Sequence, residues 1–153
     1  MSLVEFIDLF IVDLKILDPQ KHEAVIGWPL EPVLANLQRL LKSKTGIRIH
    51  IPVVPGFNDS EHDFEQYIAY LRNHADRLDG VDILNYHAYG EGKYTFLGKE
   101  DSYQYKGVAE NPSEKVLPLA KGLRQAGIRS VTVGGLVGVA TDGCQSQRAA
   151  VCV

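Results

Sequence analysis

Residues 6–14 (FIDLFIVDL) are mostly Phe, Ile, Val and Leu, which predicts a strand buried on both faces, the pattern of a parallel sheet. Leu34, Leu37, Leu40 and Leu41 then recur at helical spacing, with Gln38, Arg39 and Lys42 on the other side. Residues 47–54 read as the next strand, stopped by Pro55-Gly56. Ser60 and Asp63 form a capping box with Asp in place of the usual Glu, ahead of a helix whose apolar stripe is Phe64, Tyr67, Ile68 and Leu71. Residues 81–86 predict a third strand, and residues 90–111 a long loop rich in Gly, Tyr and Lys. Ser113 is the expected cap of a third helix that ends near Gly127 and is kinked by Pro118. Residues 130–133 are a short fourth strand. Beyond Gly134 the pattern has no period.

The order β-α-β-α-β-α-β implies right-handed crossovers and a parallel sheet. A chain of 153 residues supports a single core, and 45% hydrophobic with 23% charged residues is ordinary for a globular protein. A net charge of -3 without a long basic run argues against nucleic acid as a partner. No apolar stretch reaches the ~20 residues of a membrane span, and no basic segment precedes an apolar one at the start. The expectation is a cytoplasmic protein with no membrane contact. Cys144 and Cys152 both lie in the tail, at a spacing that matches no zinc or redox motif.

Charge changes the picture at the strand ends. Asp13 and Lys15 lie two apart, as do Arg48 and His50, and Asn85 and His87. Each pair shares a face of an extended chain near the C-terminal end of its strand, where parallel sheets bind ligands. Individually the residues have plainer readings. Asp13 and Lys15 can pair with each other, Arg48 reads best as a solvated residue at a strand start, His50 as a hydrogen-bonded core histidine, and His87 as a turn residue. Their joint recurrence points to a polar ligand pocket, because burying several uncompensated polar groups is costly. Lys15 offers a point charge for a carboxylate or phosphate, Asp13 accepts from an amine or a small cation, and histidine bonds or stacks on a ring. These groups suit an amino acid or a nucleotide-like molecule. No phosphate loop, serine triad or metal motif is present, so no residue is assigned as catalytic or metal-ligating.

The segments DLFIVDLKILDPQKHEAVIG, IRIHIPVVPGFNDSEHDFEQY and ILNYHAYGEGKYTFLGKE resemble, in order and spacing, successive blocks of the glycyl-radical-enzyme activating enzymes. These are radical S-adenosylmethionine (SAM) proteins that include the activase of pyruvate formate-lyase. The resemblance covers roughly residues 7–135. It implies an α/β fold, a partial parallel (β/α) barrel forming the C-terminal half of a radical SAM barrel. It also implies SAM and a [4Fe-4S] cluster as cofactors, reductive cleavage of SAM, and hydrogen-atom abstraction from a glycine of a partner enzyme of the pyruvate formate-lyase type. Flavodoxin or ferredoxin is the implied electron donor. By this resemblance Asp13 lies near the methionine carboxylate or an associated cation, Lys15 contacts the same end of SAM, and His87 lies beside the nucleoside. Gly90, Lys93 and Tyr94 lie near the partner's glycine-bearing segment.

Three departures stand out. His50 occupies a position where relatives usually carry arginine, which grips a carboxylate with two parallel bonds as imidazole cannot. Asn85 stands where relatives tend to have proline. The family's CxxxCxxC is absent from the sequence. The expectation is therefore a two-part chain, with barrel units over residues 1–135 and a tail over 136–153. It is expected to be inactive alone and to leave an unpaired sheet edge at residues 6–15 open to self-association. Two other readings remain: a non-catalytic module that contacts a glycyl radical enzyme, and an unrelated α/β enzyme that binds a small anion.

Overall fold

The computed structural model describes residues 4, 6–88, 91–99, 101, 105–109, 112–134 and 150–152. Five parallel strands, β1 (Leu9–Asp13), β2 (Gly46–Val53), β3 (Gly80–Asn85), β4 (Val131–Val133) and β5 (Ala150–Cys152), form one sheet in the order β4-β3-β2-β1-β5. The connecting helices are α1 (Pro19–Ile26), α2 (Glu31–Leu41), α3 (Glu61–Arg72), α4 (Glu91–Phe96) and α5 (Ser113–Gln125). The expected order holds, with α1, α4 and β5 added to it.

Local chemistry sets the helix ends. In α3 the capping box is complete: the Asp63 amide donates to Ser60 Oγ at 3.1 Å, and the Ser60 amide donates to Asp63 Oδ2 at 3.2 Å. Helix α1 starts where Asp18 accepts from the Lys21 amide at 2.9 Å with Pro19 in the first turn, and stops at Gly27, whose φ of 76° suits glycine. The expected Ser113 cap is displaced by one residue. Pro112 is the N-cap of α5, Ser113 is already helical, and its hydroxyl receives the Asn85 side-chain amide at 3.3 Å. Pro118 lies inside α5, where it removes one backbone donor.

The strands alternate, and the expectation of two buried faces fails. Phe10, Val12 and Leu14, then Ile47, Ile49, Ile51 and Val53, then Val81 and Ile83 are buried on one face. Against them pack Leu37 and Leu41 of α2, Phe64, Tyr67 and Leu71 of α3, and Val116, Leu119 and Leu123 of α5. On the other face Leu9, Ile11, Asp13, Arg48, His50, Leu84 and Thr132 are only half-buried. The helices thus dress one face, and the other carries the polar residues.

The predicted free edge is also corrected. β5 pairs in parallel with β1 over Leu9–Ile11, so that stretch of backbone already has a neighbour and self-association through it loses its basis there. Residues 135–149 of the tail lie outside the described residues.

Candidate functional site

Register builds the site. Asp13 of β1 lies opposite His50 of β2, His50 opposite Asp82 of β3, and Asp82 opposite Thr132 of β4. One polar residue from each of four adjacent strands therefore falls in a single row across the open face.

Asp82 is the hub of that row. Its Oδ2 accepts from Arg48 Nε at 2.5 Å and its Oδ1 from Arg48 Nη2 at 2.7 Å, a two-pronged pair. Thr132 Oγ1 also donates to Oδ1, and His50 Nε2 lies 3.2 Å from Oδ2. Burial by itself would raise the pKa of this carboxyl. The bonds from Arg48 and Thr132, with the charges of Arg48 and His50, outweigh it and hold Asp82 below the ordinary value of 3.8. The same pairing raises the pKa of Arg48 against its own burial. His50 Nδ1 faces Asp13 Oδ1 at 3.8 Å. Gly80 makes room for this arrangement. It lies opposite Arg48, and a Cβ there would meet Arg48 Nη1 and the Ser130 carbonyl oxygen, each at 2.7 Å.

The structure corrects the reading of Arg48 as a solvated strand-start residue. Its guanidinium is committed to Asp82 and reaches Ser130 Oγ at 3.3 Å. The Asn85–His87 pair is corrected in part. Asn85 lies opposite Val53, on the helix-covered face, and bonds Ser113; the open-face residue of β3 is Asp82. The sequence signal for Asp82 was an acid set between Val81 and Ile83 in an apolar strand.

Asp13 and Lys15 stand at the rim. Lys15 Nζ lies 3.0 Å from Asp13 Oδ2, with side chains 45% and 34% exposed, so both groups remain within reach of solvent and ligand. A carboxylate and an ammonium side by side match an amino-acid zwitterion, charge for charge. The structure thus brings Asp13, Lys15 and His50 together. His87 is exposed two residues past the end of β3. Lys93 and Tyr94 lie on α4, and Gly90 falls outside the described residues. The segment after α4 is tied to the end of β3 where Tyr86 Oη donates to the Tyr105 carbonyl at 3.2 Å.

Among the described residues, no group of three His, Cys, Asp or Glu could hold a metal ion, and no helix is long and apolar enough to cross a membrane.

No protein-family profile matches the chain. It is 58% identical over 139 residues to the benzylsuccinate synthase activating enzyme of Thauera aromatica, covering 91% of this chain and 42% of that protein. It is 39% identical over 102 residues to the choline trimethylamine-lyase activating enzyme of Oleidesulfovibrio alaskensis, covering 65% of this chain and 33% of the relative. With the pyruvate formate-lyase 2-activating enzyme of Escherichia coli it shares 32% over 135 residues, 88% of this chain and 44% of the relative. A crystal structure of a domain of pyruvate-formate lyase-activating enzyme from Bacteroides vulgatus superposes with a TM-score of 0.68 at 20% identity, over 87% of this chain and 71% of that one, which shows a shared parallel α/β fold, consistent with a partial barrel. The chain belongs to the glycyl-radical-enzyme activating enzymes and spans less than half the length of these three relatives.

Proposed function

We propose that this chain is the SAM-contacting part of an activase that generates the glycyl radical of a partner enzyme. The observation that carries the reading is the exposed Asp13–Lys15 pair at the C-terminal edge of a sheet shared with activating enzymes. Lys15 holds the carboxylate of the methionine moiety, and Asp13 holds its ammonium or an associated cation. His50 borders this end of the site, with its Nε2 3.2 Å from Asp82 Oδ2. His87 lies beside the nucleoside.

In the intact protein the cluster and SAM together supply reductive SAM cleavage and hydrogen-atom abstraction from the partner's glycine. The residues of this chain fit SAM but not the cluster. Its only cysteines, Cys144 and Cys152, are two thiolates where the family motif provides three. The cluster ligands therefore belong to other parts of the intact protein, with a flavodoxin or ferredoxin as its electron donor, and the chain alone is inactive.

Lys93 and Tyr94 of α4 face the partner's glycine-bearing segment; Gly90, expected there with them, lies outside the described residues. Identity of 58% to the benzylsuccinate synthase activating enzyme, against 32% to the pyruvate formate-lyase 2-activating enzyme, favours a partner resembling benzylsuccinate synthase over the pyruvate formate-lyase type.

Calorimetric titration of SAM into the chain tests the site. Lys15→Met keeps much of the side-chain length and removes the charge. Loss of a charge-assisted bond should weaken binding about ten- to a hundredfold. His87→Ala should weaken it as well, with little change in melting temperature for either variant. Unchanged affinity in both, with lowered melting temperatures, would return these residues to structure alone.

A further inference from the structure

The ladder between β1 and β2 stops one residue short of Lys15. The Leu14 amide donates to the His50 carbonyl at 2.8 Å, but the next donor on β2 would be the amide of Pro52, which has none. That missing bond would fall on the Leu14 carbonyl, so the Lys15 carbonyl lies past the end of the ladder, where side chains bind it. Asn58 Nδ2 donates to the Lys15 carbonyl at 2.6 Å and to the Pro52 carbonyl at 2.7 Å. Asn58 Oδ1 accepts from the Val54 amide at 2.7 Å, which fixes the orientation of the side-chain amide. Tyr67 Oη, from α3, donates to the same Lys15 carbonyl at 2.7 Å and lies 3.0 Å from Asn58 Nδ2.

Asn58 and Tyr67 are both fully buried, whereas the Lys15 side chain is 45% exposed. A buried pair thus grips the main chain of a residue whose side chain works at the surface. Lys15 lies past the end of the β1–β2 ladder, so these side chains, and not pairing with β2, hold its carbonyl. Burial raises the pKa of the Tyr67 phenol well above its usual value, so it keeps the proton that it donates to the Lys15 carbonyl.

We infer that Asn58 and Tyr67 are positioning residues for the ligand contact of Lys15. They act through its backbone, fixing where the side chain leaves the sheet and hence where its ammonium lies beside Asp13. This rests on the reading of Lys15 as a SAM contact. It adds two residues that touch no ligand themselves but preset the aim of one that does. Preorganisation of this kind improves binding without any new contact to ligand.

The test is a double-mutant cycle on the full chain, with SAM titrated calorimetrically and thermal melts recorded alongside. Tyr67→Phe keeps the ring and its packing and removes one donor to the Lys15 carbonyl. It should weaken SAM binding about three- to tenfold, the scale of a single hydrogen bond, when Lys15 is present. In the Lys15→Met background the same substitution should have almost no further effect. In the ligand-free chain, the carbonyl carbon-13 resonance of Lys15 should shift on Tyr67→Phe.

Three results would overturn the inference while leaving the SAM site intact: unchanged affinity in Tyr67→Phe when Lys15→Met alone weakens binding, equal weakening in both backgrounds, or an unmoved Lys15 carbonyl resonance. Unchanged affinity in Lys15→Met, or no binding of SAM by the unsubstituted chain, would instead remove the proposed function and the positioning role with it.

Discussion

The two faces of the sheet do different work with the same strands. On β2, Ile47, Ile49, Ile51 and Val53 point into the helices and have no exposed surface, while Arg48 and His50 point the other way into a charged row. The helix face is held by apolar contact, which tolerates small shifts of direction. The open face is held by hydrogen bonds and ion pairs, which depend on distance and angle. Apolar burial is therefore concentrated on one side of each strand and the charged row on the other, with register linking them: a slip of one residue would exchange Ile49 for His50 in the core.

The sharpest way to break this contrast is to substitute neighbours on β3. Ile83→Ala removes a fully buried side chain from the helix face. It should cost about 2–5 kcal/mol in urea unfolding, through lost transfer energy and the cavity left behind. A loss well below 1 kcal/mol would show that the helix face is loosely packed and that the two sides differ less than their burial suggests.

Asp82→Asn, one residue away on the open face, should cost less, about 1–3 kcal/mol, as the charge-assisted bonds to Arg48 weaken. It should also change acid sensitivity. The folded pKa of Asp82 lies below its unfolded value, so the carboxylate contributes stability that is fully present above the ordinary value of 3.8 and is lost as pH falls through the folded pKa. Asp63 has the same sign. Burial would raise it, but the bonds from Ser60 and Lys21 hold it low. In Asp82→Asn the loss of stability below about pH 4 should become shallower while the Asp63 share persists. An acid profile that superposes on that of the unsubstituted chain would exclude Asp82 as a source of acid lability.

The helix face was the legible one. Apolar runs place β1 to β3, period-3.6 apolar spacing places α2 and α3, and end signals place α5, because burial selects apolar residues; that β1 buries only one face is not visible in so apolar a run. Helix α1 shows no such stripe: among its residues only His22 is buried, and Val25 and Ile26 are exposed. Its signals were the Asp18 cap, Pro19 and Gly27, which mark ends rather than a face. Helix α4 is short and surface-lying, and its exposed Phe96 reads as loop composition. On the open face, strand-end pairing located Asp13 and Lys15. The cross-strand partners Asp82, Thr132 and Gly80 follow only from register, which the sequence of any one strand does not carry. The same gap explains Arg48, which looks solvated until β3 supplies its acid, and Asn85, whose side is decided by its register with Val53.

The smallest expected effect on stability separates the rim of the open face from its hub. Asp13 and Lys15 are 34% and 45% exposed, so water already satisfies much of each charge and their attraction is screened. Asp13→Asn should therefore change unfolding stability by less than about 1 kcal/mol, far below the cost at Asp82. His50 should not amplify that cost. Its Nδ1 is 3.8 Å from Asp13 Oδ1, beyond a good hydrogen bond, and its Nε2 keeps Asp82 when Asp13 is neutralised. The proposed ligand contact predicts a larger consequence elsewhere: SAM binding should weaken measurably in Asp13→Asn while the melt barely moves, because Asp13 is poised for the ligand's ammonium or an associated cation. Parallel urea melts and calorimetric titrations of the two variants decide the matter. If Asp13→Asn destabilises as much as Asp82→Asn and leaves affinity unchanged, the rim is part of the structural row, and the division between a structural hub and a ligand-facing edge fails.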